Sequence, residues 1–121
     1  YVTGAHHWLP GLPFGNLKKF LEIMKETNID TEQYLDIGLH YIALEVGEVA
    51  IEKAASLKPD DLLKSLWAVN FETILGPMYF DQTQGYGSFK QFAAQYIDGK
   101  YYLISPKKFA THKHIYPNPT P

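Results

Sequence analysis

The side chains of this sequence that can do chemistry are few and scattered. Two adjacent histidines, His6 and His7, precede Trp8 in an aromatic stretch. Imidazoles ligate metals and move protons near neutral pH. Neighbours on an extended chain, however, point to opposite faces and rarely grip one ion, and no acidic residue stands beside them. A histidine satisfied by packing or a hydrogen bond, or one facing a small ligand, is the simpler expectation. Glu45 and Glu48 share a helix face, a spacing that serves acid–base or metal chemistry only where partners and a pocket converge on it. Without them the pair reads as surface or salt-bridged. Asp36 and His40, four apart, predict a charged hydrogen bond within one helix. His112 and His114 lie two apart in a polar, proline-rich stretch, a weak metal motif. The sequence has no phosphate-cradling glycine loop, nucleophile elbow, HExxH motif or internal repeat. No catalytic residue, metal or cofactor is therefore assigned. The enzymatic alternative is a metal-dependent reaction carried by His6, His7 and the Glu45/Glu48 pair.

Composition narrows the classes further. A chain of 121 residues, 45% hydrophobic and 15% aromatic, is one domain's worth with enough apolar material for a core. All eleven basic residues are lysines and the net charge is -2. Arginine, the residue of bidentate phosphate and base contacts, is missing and no basic stripe exists, so nucleic acid is not an expected partner. The absence of cysteine excludes disulfides, zinc-thiolate sites and thiol chemistry within this stretch. No apolar run reaches membrane-spanning length. Tyr1 is not a natural start and no signal peptide is visible, so the chain is expected to begin inside a longer protein or after processing.

The elements that position these residues follow from periodicity. Tyr1 to Gly4 reads as the end of a strand, and residues 5–13, broken by Gly and Pro, as an apolar loop that packs over something or lines a pocket. Leu17, Phe20, Leu21 and Met24 make one face of a helix from Asn16 to Thr27. A second helix is predicted from Asp30 or Thr31, with Asp30 and Gln33 as a capping box, to about Ser56. Its apolar residues cover most of the circumference, which predicts burial between neighbours, with Gly38 and Gly47 permitting close approach. Pro59, Asp60 and Asp61 open a third helix, which Asn70 ends. Strands over Phe89 to Ile97 and Lys100 to Ile104 flank Asp98-Gly99, a hairpin signal. Residues 107–121 read as a tail.

Between helices and hairpin lies Asn70-Phe71-Glu72-Thr73-Ile74-Leu75-Gly76-Pro77-Met78-Tyr79-Phe80-Asp81. Alone it reads as an edge strand kinked at Gly76-Pro77, or as a segment leaving one packed body for another. Its order of residue types resembles the C-terminal signature of the leucine/isoleucine/valine-binding protein family, the substrate-binding subunits of bacterial amino-acid ABC importers, with Glu72 where the family usually has Asp. The weaker similarities of the loop, the helices and the Asp98-Gly99 hairpin extend it over nearly the whole chain. The resemblance implies an α/β fold: the C-terminal third of a two-lobed, type I periplasmic-binding-protein-like molecule, helices first and a β-hairpin-rich end. It implies that residues 1–75 belong to the first lobe, 76–106 are strands of the second, and 107–121 are the tail. Crossovers between lobes fall at Thr3-Gly4 and Gly76-Pro77. Tyr34, Trp8 and His6 are the implied ligand-binding residues, although Gly38-Leu39-His40 departs from the family's Gly-Tyr-Asp.

The implied function is solute binding without chemistry, in the periplasm or outside the cell. The ligand is an amino acid or a similar small carboxylate or amide, and the partners are the membrane subunits of an ABC transporter. The alternative on the same fold is the ligand-sensing domain of a receptor or regulator. Taken alone, such a fragment is expected to self-associate rather than bind solute.

Overall fold

Apolar residues at helical spacing build the first half of the chain and alternating ones the second. The computed structural model describes residues 2–31, 36–83, 85–88, 90–117 and 119. Its elements run β1 (Val2–His6), α1 (Leu17–Glu26), α2 (Ile37–Ala54), α3 (Pro59–Trp67), β2 (Asn70–Thr73), β3 (Gly76–Asp81), β4 (Tyr86–Gly87), β5 (Phe92–Ile97) and β6 (Lys100–Ser105). Among the described residues the fold is therefore mixed α/β, with three helices and two small antiparallel sheets ordered β1-β5-β6 and β2-β3-β4.

α1 buries Leu17, Phe20 and Met24. It stops at Thr27, whose hydroxyl donates to the Ile23 carbonyl at 2.8 Å, and Asn28 then turns left-handed at φ 57°. The Ile29 N–H reaches back to the Met24 carbonyl, so the end of the helix keeps its carbonyls occupied. α3 opens as its Pro-Asp-Asp start predicts. The Ser56 hydroxyl donates to the Asp61 carboxylate at 2.8 Å and accepts the Lys58 N–H, tying the loop to the first turn.

α2 departs from expectation twice. Its first residue is Ile37, later than Asp30 or Thr31; residues 32–35, which include Gln33 of the expected capping box, lie outside the described residues. Nor is it buried all round. Gly38, Ile42, Val46 and Ala50 form one buried stripe, while Leu44 is 75% and Ile51 48% exposed on the other side. Apolar residues around a helix show only that several faces could be covered; here the Trp8 loop, Phe20 of α1 and α3 cover α2 and leave the Leu44 side open.

The Asn70 to Asp81 stretch folds as a hairpin, neither a kinked edge strand nor an uninterrupted one. Thr73 pairs with Gly76 and Asn70 with Tyr79, and Ile74-Leu75 make the turn. Two contacts replace the usual Asn-Gly chemistry. The Thr73 hydroxyl accepts the Leu75 N–H at 3.1 Å and donates to the Gly76 carbonyl at 3.0 Å. Gly76, at φ 99°, supplies the positive φ that a side chain disfavours. The turn points inward, with Ile74 and Leu75 both in the core. The β5–β6 hairpin forms as its sequence predicts, with Asp98 at φ 48° and Gly99 at φ 85°.

Residues after β6 are more than a tail. The Leu103 carbonyl accepts the N–H groups of Thr111 and His112. The Gln95 side chain bonds both the N–H and the carbonyl of Ile115. A loose end was expected because the segment is polar; the bonds that fix it come from main chain and from one strand amide, which composition does not reveal. The core gathers Trp8, Phe20, Ile42, Ile74, Phe92 and Leu103, so loop, helices and both sheets share one apolar interior.

Candidate ligand-binding site

The end of β1 and the start of α2 enclose a hollow of about 250 Å³ lined by Ala5, His6, His7, Trp8, Asp36 and Leu39. β1 is held antiparallel to β5, His6 opposite Phe92 and Gly4 opposite Ala94. Gly4 has no side chain, and a Cβ there would lie 3.1 Å from Nε2 of His6. The imidazole thus leans back over the glycine and meets the Tyr101 ring edge-on, centroids 4.8 Å apart. Tyr101 in turn packs on Tyr96 at 4.9 Å. Burial, with His7 adding to it, holds the His6 imidazole below the usual histidine value. The ring is then neutral at neutral pH. Its Nε2 is buried and has no hydrogen-bond partner among the described residues, a state that protein interiors rarely leave unanswered.

Trp8 forms the floor. It is 2% exposed and packs edge-on against Phe20 with centroids 5.1 Å apart. Gly38 of α2 makes this possible, since a Cβ there would overlap the indole ring. Trp8 therefore offers a ligand only a margin of its surface; most of it is core. Asp36 precedes α2, and its carbonyl accepts the Leu39 N–H at 3.0 Å. Asp36 and His40 share a backbone bond at 3.4 Å and, among the described residues, no side-chain bond; the expected charged pair does not form, and Asp36 faces the hollow instead. At the mouth of the hollow the positive end of an 18-residue helix meets a carboxylate and a neutral imidazole.

The structure thus brings His6 and Trp8 together. Tyr34, the third implied ligand residue, lies outside the described residues. Of the implied crossover residues, Thr3 and Gly4 sit inside β1, whereas Gly76 and Pro77 open β3. Asp36 and Leu39 were not among the site residues read from sequence. Placing the helix start at Asp36 rather than at Asp30 would have found them.

The other chemical candidates lie apart from this hollow. Glu45 is half-buried on α2. Burial raises its pKa first of all; the Tyr41 hydroxyl bonded to it lowers it, nearby Glu48 raises it and Lys19 of α1 lowers it. His112 and His114 are exposed in the segment after β6. Among the described residues no three of His, Cys, Asp and Glu are placed to hold a metal ion, and no helix is long and apolar enough to cross a membrane. No protein-family model matches the chain, and no solved structure does.

Proposed function

We propose that this chain is part of a two-lobed solute-binding protein of the leucine/isoleucine/valine-binding type, serving an ABC importer, and that the hollow at His6 is its contribution to the ligand site. The observation that carries the reading is the small cavity between the end of β1 and the start of α2, lined by His6, His7, Trp8 and Asp36. This combination suits an amino acid or a similar small carboxylate or amide. A neutral imidazole donates or accepts according to its tautomer. The first N–H groups of a helix favour a carboxylate. Asp36 favours an ammonium group, and Ala5 and Leu39 offer apolar contact. In this reading Thr3-Gly4 marks a crossover, and the protein works in the periplasm or outside the cell without doing chemistry.

The test is calorimetric titration of the longer, two-lobed protein with a panel of amino acids. His6→Ala and Asp36→Asn should each weaken binding of the preferred solute, roughly ten- to a hundredfold, the scale of a lost buried polar contact. Unchanged affinity in both variants would remove the hollow from the site.

A further inference from the structure

We propose that residues 111–116 form a releasable strap that braces β1, and that Gln95 is the residue holding it. The segment crosses all three strands of the sheet β1-β5-β6 and touches each by a polar bond. On β6, the Leu103 N–H donates to the Thr111 hydroxyl at 3.1 Å, and the Leu103 carbonyl accepts the N–H groups of Thr111 and His112 at 2.9 and 3.1 Å. On β5, Gln95 uses both ends of its amide: Nε2 donates to the Ile115 carbonyl at 3.0 Å and Oε1 accepts the Ile115 N–H at 2.9 Å. On β1, the Thr3 hydroxyl and Nε2 of His114 lie 3.3 Å apart. Thr3, Gln95 and Tyr102 are register partners across the sheet, so their side chains share one face.

Two features make this a strap rather than part of the core. Thr111, His112, Lys113, His114 and Tyr116 are exposed, so the segment buries little apolar surface and polar bonds hold it. Gln95 is fully buried although its register neighbours are exposed or half-buried, which marks the strap as its cover on that face. When the strap lifts, water replaces both bonds of the amide, so no polar group is stranded. β1 in turn needs the brace. Among the described residues it pairs with β5 alone, and Val2, Thr3 and Ala5 are exposed. Bracing of the crossover proposed at Thr3-Gly4 rests on the solute-binding reading; the strap itself does not.

Hydrogen exchange on the chain, compared with Gln95→Leu and Thr111→Val, decides the matter. Each substitution removes polar anchors of the strap, the first from inside the sheet and the second from its outer surface. In both variants the Ile115 and His112 amides should exchange roughly tenfold faster or more, and the β1 amides should follow, while Phe20 in α1 stays protected. Wild-type exchange at Ile115, or unchanged protection of β1, overturns the proposal. Loss of protection at Phe20 along with the strap would make Gln95 an ordinary core residue and overturn it too. If Gln95→Leu does not fold, Thr111→Val alone decides. The measurement needs neither solute nor second lobe, so its failure leaves the solute reading untouched.

Discussion

Glu45 sits in a poor place for a charge. It is half-buried between α2 and Lys19 of α1, beside Glu48, and one of its carboxylate oxygens is buried without a partner among the described residues. Its raised pKa means that the folded chain holds the proton more tightly than the unfolded one. Stability from this group is present at acid pH and is lost as pH rises through the raised value, so at pH 7 the ionised form weakens the fold. Glu45→Gln keeps an acceptor for the Tyr41 hydroxyl and removes the charge. The variant should melt at a higher temperature than the parent at pH 7, and the advantage should shrink towards the ordinary glutamate range near about pH 4. Thermal unfolding followed by circular dichroism across that range checks it. A variant less stable at pH 7 would mean that the attraction to Lys19 outweighs burial.

Thr73 does for the β2–β3 hairpin what Asp-Gly does for β5–β6. Its hydroxyl holds the Leu75 N–H and the Gly76 carbonyl within a buried turn. Thr73→Val, close in shape, removes the hydroxyl from the Gly76 carbonyl and leaves the Leu75 N–H without its bond in the core, which should cost about 1–3 kcal/mol in urea unfolding. Thr73→Ser, which keeps the hydroxyl, should recover most of the loss; equal loss in both variants would point to packing of the Thr73 methyl instead. The contrast between the two hairpins explains what the sequence reveals. Asp98-Gly99 announces its turn because both residues must take positive φ. Ile74-Leu75 looks like strand interior because the turn buries its tip, and a buried turn requires apolar residues where exposed turns are polar. The three helices were legible from the stripes of Leu17, Phe20 and Met24 on α1 and Ile42, Val46 and Ala50 on α2, and from the Pro59-Asp60-Asp61 start. The strap was not, because Gln95 gives no sign in sequence of what its amide holds. Of the candidate site, His6 and Trp8 were legible as an aromatic loop after a strand. Asp36 was hidden by a helix start placed six residues early, and the division of Trp8 between core and cavity became visible only with Gly38 beneath it.

The outer side of α2 and α3 sets how the chain behaves alone. Leu44 is 75% exposed, Ile51 48%, Leu63 51% and Leu57 77%. The two helices are packed together, and Gly47 opens between them onto empty space, so Leu44, Ile51 and Leu63 border shallow hollows that meet at Gly47 and Ile51. A monomer rarely keeps so continuous an apolar surface in water. In the two-lobed protein proposed above, more of the same polypeptide covers it. In the isolated 121 residues a second copy is the available cover, most simply around a two-fold axis. Sedimentation velocity at micromolar concentrations should show association that grows with concentration. Leu44→Glu with Leu63→Glu should return the chain to a monomer with its helical circular dichroism intact, since both positions face solvent and glutamate is a good helix former. The isolated chain should also give no heat with amino acids, because a cleft between lobes needs groups from both and closure around the ligand. Monomer at all concentrations, with tight binding of one amino acid, would make these residues a self-sufficient binding domain and the apolar face an ordinary surface. Association that survives both glutamates would place the interface elsewhere, with the edge of β1, unpaired among the described residues, next in line.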